Sequence, residues 1–205
     1  PDALDTDFPL NTPVLIAGSR LEAAKMGSTG TLPTALDGIF DQAGAMVVVI
    51  RVAEGADEAA TLSNVIGGVD ESTGTYQGVQ AFLAAESVVK VTPRILCAPG
   101  WSHQRPAAGA NPVIAELLGI ADRMRAVIIA DGLNSNDADA ITYREDWGSP
   151  RVYVVDPWVK TWDTVANASV DQPASARIAG MIAKSDNERG FWWSPSNREV
   201  YGIMG

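Results

Sequence analysis

Three short apolar runs between Arg94 and Trp158 constrain the fold of this chain more than any other feature. They read Arg94-Ile-Leu-Cys-Ala-Pro-Gly100, Arg125-Ala-Val-Ile-Ile-Ala-Asp-Gly132 and Arg151-Val-Tyr-Val-Val-Asp-Pro-Trp158. None has the polar alternation of a strand with one wet face. Each therefore predicts a strand buried on both faces, as in a parallel sheet covered by helices. Between the first two, Asn111 and Pro112 open a helix, a capping side chain followed by proline at the first helical position. Val113, Ile114, Leu117, Leu118 and Ala121 form its buried face. A second helix starts near Asn136-Asp137, is expected to turn Ile141 inward, and stops at Trp147-Gly148-Ser-Pro150. Strand, helix, strand, helix, strand is the rhythm of right-handed crossovers. The fold class is α/β, a mostly parallel sheet flanked by helices. Pro173 opens a last helix carrying Ile178, Met181 and Ile182, closed at Gly190, and an exit strand is expected after it.

The N-terminal part predicts a smaller unit. Residues 1–12 read as an extended lead-in, and Val14-Leu-Ile-Ala17 as a short strand closed by Gly18. Gly27-Ser-Thr-Gly30 is a loop. Leu32, Leu36, Ile39 and Phe40 share one helical face, with Thr31 as candidate N-cap and Pro33 in the first turn. Met46-Val-Val-Val-Ile-Arg-Val52 is the strongest strand signal in the chain, and the three elements together predict a βαβ unit. A helix over 57–66 stops at Gly67-Gly68, a turn-rich loop covers 69–78, and Val79, Phe82 and Leu83 mark a short helix. The division expected is an N-terminal βαβ unit over 1–70 and a larger α/β core over 71–205.

Composition narrows the function classes. The chain has 205 residues, 46% hydrophobic and 20% charged, with apolar material for a sizeable core. Fifteen Lys plus Arg against twenty-five Asp plus Glu give a net charge of −10. With no basic cluster anywhere, a direct nucleic-acid surface is not expected. No apolar run approaches a membrane span and no basic-then-apolar leader opens the chain. The single Cys97 lies inside a predicted strand, which predicts a buried, inert thiol and fits synthesis in a reducing cytoplasm. The start at Pro1 and the stop at Tyr201-Gly-Ile-Met-Gly205 suggest a fragment of a longer protein.

Open α/β sheets place ligands at the carboxyl ends of their strands. Here those ends supply Ser102, His103, Asp131 and Asp156, which invites an α/β hydrolase or small-ligand site. Against it, Ser102 and His103 are adjacent and badly placed to share a proton. There is no G-x-S-x-G elbow, and the lone His lacks a metal-site companion. Asp131 and Asp156 are expected to cap loops or helices instead. Gly27-Ser-Thr-Gly30 lacks the Gly-Lys-Ser/Thr of a phosphate loop, and no cofactor is implied. Trp147, Trp158, Trp162, Phe191, Trp192 and Trp193 crowd the last third. They predict either a packed core around the third strand and last helix or an interaction surface.

Four segments carry a resemblance to a known family. Phe8-Pro-Leu-Asn-Thr-Pro-Val-Leu15, Pro93-Arg-Ile-Leu-Cys-Ala-Pro-Gly100, Asp156-Pro-Trp-Val-Lys-Thr-Trp-Asp163 and Gly190-Phe-Trp-Trp-Ser-Pro-Ser-Asn197, in this order, resemble the tail sheath proteins of contractile-tailed phages and the related R-type pyocins. The resemblance implies a subtilisin-like topology without catalytic residues, in a structural protein and not an enzyme. It implies a helical tube of subunits around an inner tail tube, contracting on a baseplate signal to drive the tube through the target envelope. Implied partners are neighbouring sheath subunits, the inner tube protein and the baseplate, without membrane insertion. The implied location is the virion tail after synthesis in the host bacterial cytoplasm. Family-motif and candidate subunit-contact residues are Asp156, Pro157, Trp158, Trp162, Phe191, Trp192, Trp193, Ser194, Pro195 and Asn197. The family's members are longer, with extended arms that pair as strands with neighbouring subunits.

Overall fold

The computed structural model describes residues 1–163 and 166–204, with the Ala108 side chain outside the description. Strand β1 (Val14–Ala17) pairs with β2 (Met46–Val49), but antiparallel, so the expected βαβ unit is not formed: Ala17 faces Met46 and Val14 faces Val49. The reason lies in the connection, which holds two helical segments. Helix α1 (Arg20–Ala23) continues as a 3-10 turn through Met26, and α2 (Leu32–Gln42) follows a loop. Because β2 begins beside the end of β1, the chain must leave that end of the ladder and return to it. The α1 segment carries it out and α2 brings it back. Leu36, Ile39 and Phe40 of α2 pack on Ile16, Val49 and Phe8. Thr31 occupies the N-cap position without a capping side-chain bond. Strand β2 stops short of Arg51, whose guanidinium turns back to donate to the Phe8 carbonyl (2.7 Å).

Helix α3 (Glu58–Ile66) is capped by Asp57, which accepts from the Ala60 amide at 2.7 Å, and ends at Gly67. The expected loop over 69–78 is in part a hairpin, β3 (Gly68–Val69) with β4 (Tyr76–Gln77). Its turn is held by the Asp70 carboxylate, which accepts from the Ser72 and Thr73 amides. A 3-10 stretch over Gly78–Ala84 leads into α4 (Ala85–Val89).

The three central runs form the expected parallel sheet, in the order β5 (Ile95–Cys97), β6 (Val127–Asp131), β7 (Val152–Val155). Ile95 faces Val127 and Ile128 faces Val152. Helix α5 (Pro112–Met124) makes the first crossover. Asn111 is fully buried: its Oδ1 accepts from the Val113 and Ile114 amides, and its Nδ2 donates to the Trp101 and Gln104 carbonyls. Val113, Ile114, Leu117 and Ala121 pack into the main core, with Leu118 partly buried against it.

Helix α6 (Asp137–Glu145) makes the second crossover, with Asn136 as its cap. Here the expected inward residue is corrected. Ile141 is 59% exposed, and Tyr143, 0% exposed, enters the core beside Trp147. Two residues lie about 200° apart around a helix, so only one of them can face the sheet. Tyr143 also brings a hydroxyl that finds an acceptor there, the Ser102 carbonyl.

A hairpin that was not expected follows, β8 (Val159–Asp163) antiparallel to β9 (Ala168–Gln172). Then comes α7 (Ser175–Arg189), ended by Gly190. The expected exit strand is reduced to a single bridge between Met204 and Lys160. Among the described residues the central sheet is wholly parallel and the three two-stranded ladders are antiparallel, so the architecture is a mixed α/β one. Helix α7 lies along α2: a Cβ on Gly180 would stand 2.7 Å from the Ile39 carbonyl oxygen, so glycine is what permits this approach.

Candidate functional site

At the carboxyl edge of the parallel sheet, β6 delivers Asp131 into a fully buried polar node. Its Oδ1 accepts from the Ser175 amide at 2.7 Å, and its Oδ2 accepts from the Ser175 hydroxyl at 2.7 Å and the Ser102 hydroxyl at 2.9 Å. The Ser102 hydroxyl in turn accepts from the Asp131 amide at 3.0 Å. Ser102, Asp131 and Ser175 have no exposure to solvent. Helix α7 has no capping bond from its own N-cap residue, Ala174, so Asp131 caps it from across the sheet. Burial pushes the Asp131 carboxyl above its usual range, opposed by the hydrogen bonds from Ser175 and Ser102. Cys97, expected to be buried, is only half-buried; desolvation, with the nearby Asp131 second, still pushes its thiol up to about 12.

His103 does not join this node. Its ring meets Trp158 edge-on at 5.0 Å, and its buried Nδ1 has no hydrogen-bond partner among the described residues. Desolvation lowers its pKa, against the pull of Asp131 and Glu58. Asp156 is committed elsewhere, its Oδ1 accepting from the Asn134 amide at 2.9 Å. A Cβ at Gly132 would lie 2.4 Å from that same oxygen, so the loop after β6 needs glycine there. Trp158 secures the same loop by donating from Nε1 to the Gly132 carbonyl at 3.1 Å.

The hydrolase or ligand-site alternative required Ser102, His103, Asp131 and Asp156 to converge in one pocket. The structure brings together only Ser102 and Asp131, in a node closed to solvent, where the serine proton is already donated to the carboxylate. Both aspartates cap, as expected of them. Sequence reasoning missed Ser175 and Tyr143. A serine in the opening turn of a helix was visible, but nothing local shows that its acceptor lies 44 positions earlier. Among the described residues, no group of three or more His, Cys, Asp or Glu is placed to hold a metal ion, and no helix is long and apolar enough to cross a membrane.

The aromatic residues divide. Trp147 is buried and Trp158 half-buried, while Trp162 is 53%, Phe191 80%, Trp192 71% and Trp193 58% exposed. Phe191 and Trp192 stack edge-on at 5.3 Å immediately after α7. Pro157, Ser194 and Asn197 are exposed beside them in sequence, and Asp156 and Pro195 are half-buried.

The polar groups at this sheet edge serve the architecture of an α/β body that displays aromatic residues outward. The comparisons give the family. Residues 74–205 match the phage tail sheath protein central domain, and residues 1–52 match the tail sheath protein Gp18 domain III N-terminal region. The chain belongs to the phage tail sheath family. It is 40% identical over 195 residues to a prophage major tail sheath protein of Pseudomonas aeruginosa, covering 95% of this chain and 49% of that one. It is 37% identical over 212 residues to the tail sheath protein of Escherichia phage P2, covering 100% of this chain and 51% of that one. The fold is like that in the cryo-EM structure of the anti-feeding prophage helical sheath in its contracted state. There the TM-score is 0.61 at 23% identity, over 95% of this chain and 47% of that one. The chain spans about half the length of the curated relatives it matches.

Proposed function

We propose that the protein is a structural subunit of a contractile tail sheath. It assembles as a helical tube around an inner tail tube, and contraction drives that tube through the target cell envelope. The family match over residues 74–205 carries this reading. Subunits packed head to tail without closure make helices, and contraction requires a second such packing of lower energy. The α/β body moves as a unit while its surfaces exchange partners. Neighbouring sheath subunits, the inner tube protein and the baseplate are the partners, with no cofactor, nucleic acid or membrane insertion. The subunit is made in the host bacterial cytoplasm and works in the virion tail, as architecture and not as an enzyme.

Residues 1–70 and 71–205 act as the smaller unit and the larger core. The apolar clusters around α2 and around α5 support this in part: α3 joins the second cluster and Ala176 of α7 joins the first. The core has a subtilisin-like topology put to structural use, supported by its parallel sheet. Asp156, Pro157 and Trp158 shape the loop at the sheet edge. Trp162, Phe191, Trp192, Trp193, Ser194, Pro195 and Asn197 meet the neighbouring subunit, supported by the exposure of all four aromatics. The full-length protein, expressed alone and imaged by negative-stain electron microscopy, is expected to form long hollow tubes of one width. Paired Trp192→Ala and Trp193→Ala substitutions should suppress tubes while leaving circular dichroism unchanged. A wild-type monomer that never assembles at high concentration overturns the reading.

A further inference from the structure

Gln42, the last residue of α2, is 5% exposed, and its carboxamide grips the backbone of a residue 159 positions later. Its Oε1 accepts from the Tyr201 amide at 2.8 Å and its Nε2 donates to the Tyr201 carbonyl at 2.9 Å. This is the two-bond exchange that facing residues make in an antiparallel ladder. Arg177, buried in the first turn of α7, donates from Nη1 to the same carbonyl at 2.9 Å and to Asp41 Oδ2 at 2.7 Å. Asp41 Oδ1 accepts from Arg20 Nη2 at 3.0 Å. Gly202 follows with a φ of +72°, and a Cβ there would stand 2.5 Å from both Arg177 Nη1 and Asp41 Oδ2. Two helices thus clamp one residue of the returning chain.

The clamp closes a loop that apolar burial does not hold. Phe191, Trp192 and Trp193 are all more than half exposed. The loop starts where the Trp193 amide donates to the Gly190 carbonyl at 3.1 Å, and a long Arg198–Glu188 ion pair of 3.7 Å ties it back to α7. Past the clamp, the Met204 amide donates to the Lys160 carbonyl at 2.7 Å, on the hairpin that carries Trp162.

We propose that Gln42 and Arg177 are positioning residues for the aromatic contact. By clamping Tyr201 they hold residues 191–200 in one shape, so that Trp192 and Trp193 meet a second copy of the subunit already ordered. The inference rests on the reading of these aromatics as the contact with a neighbouring subunit. A loop that is free in the monomer loses its conformational freedom on assembly, and that loss opposes binding. A loop fixed beforehand avoids it, so the clamp lowers the concentration at which subunits join. Because the clamp spans α2 and α7, the shape of the contact is set by the close packing of these helices that Gly180 permits.

Hydrogen exchange on the full-length protein reads the clamp, and the threshold concentration for tubes reads the contact. In Gln42→Ala the Trp193 and Met204 amides, neither of which bonds to Gln42, should exchange at least about tenfold faster, with β6 unchanged. The threshold for tubes should rise about threefold or more, well below the melting temperature of the variant. Gly202→Ala disturbs the clamp from the loop side and leaves α2 intact; it should do the same, and it serves if Gln42→Ala does not fold. Coupling separates positioning from stability. If Gln42 acts through Trp192, the double variant Gln42→Ala/Trp192→Ala has a threshold well short of the product of the two separate rises. Rises that multiply, or amides at 193 and 204 that stay slow, would overturn the proposal and leave the contact in place. Trp192→Ala/Trp193→Ala assembling like wild type would instead remove the contact, and the proposal with it, as would a wild type that never assembles.

Discussion

Removing the Asp131 carboxylate tests the buried node most directly. In Asp131→Ala, three buried donors lose their acceptor: the Ser175 amide, the Ser175 hydroxyl and the Ser102 hydroxyl. At about 1 kcal/mol each the cost is about 3 kcal/mol, a large part of a domain's stability. Asp131→Asn keeps an acceptor for the Ser175 amide and offers its NH2 to the two hydroxyls, so its cost is about 1 kcal/mol. The pH dependence has a definite sign. Burial raises the folded pKa above the unfolded one. The group's contribution is therefore fully present below the unfolded value and lost as pH rises through the folded one. The gap between wild type and Asp131→Asn should accordingly narrow as pH rises above the ordinary carboxylate value of about 4. Urea unfolding followed by tryptophan fluorescence measures all three proteins. An Ala variant within 1 kcal/mol of wild type, or a gap that widens with pH, refutes the capping account.

Two further outcomes follow from the packing and the thiol. Gly180→Ala should cost about 1–3 kcal/mol by forcing α2 off α7, whereas Gly119→Ala, where a Cβ meets nothing within 4 Å, should stabilise by about 0.5–1 kcal/mol; thermal melts of both read the contrast, and equal shifts would discredit the close-approach argument. Cys97, with its thiol at about 12, should alkylate at pH 8 on the order of a hundredfold slower than free cysteine and regain the ordinary rate in urea; a fast native rate would mean that the thiol is not desolvated.

The central sheet was legible as three continuous apolar runs, but only β6 is buried on both faces, over residues 128–131. Ile95 and Cys97 of β5 are half-buried and Tyr153 of β7 is 59% exposed, so β7 has one wet face against expectation. Asn111-Pro112 was legible because a cap is a local device. Pairing direction was not, since β1 against β2 depends on the path of a 28-residue connection and on an α1 segment with little apolar signal. The β8–β9 hairpin escaped for a different reason. Its exposed Lys160 and Trp162 flank one buried Thr161, and no apolar run announces it. At the sheet edge, strand ends brought Ser102 and Asp131 into view as neighbours. Their partner Ser175 belongs to an element far along the chain, and only the fold joins them. The divergence of Ser102 and His103 was readable from adjacency alone.

Helix α7 has a mechanical meaning beyond its packing. Asp131 grips its first turn, α2 presses on its middle at Gly180, and the exposed Phe191–Trp193 segment hangs from its last turn. The segment is tied at both ends, at Gly190 where α7 stops and at Tyr201, which exchanges hydrogen bonds with Gln42 of α2 and accepts from Arg177 of α7. A load on those aromatics therefore reaches both helices. The segment is thus a loop held by two packed helices, one of which is anchored in the central sheet through Asp131. Under the proposed contact with a neighbouring subunit, a pull on this loop would be shared between α2 and α7 instead of falling on one local part.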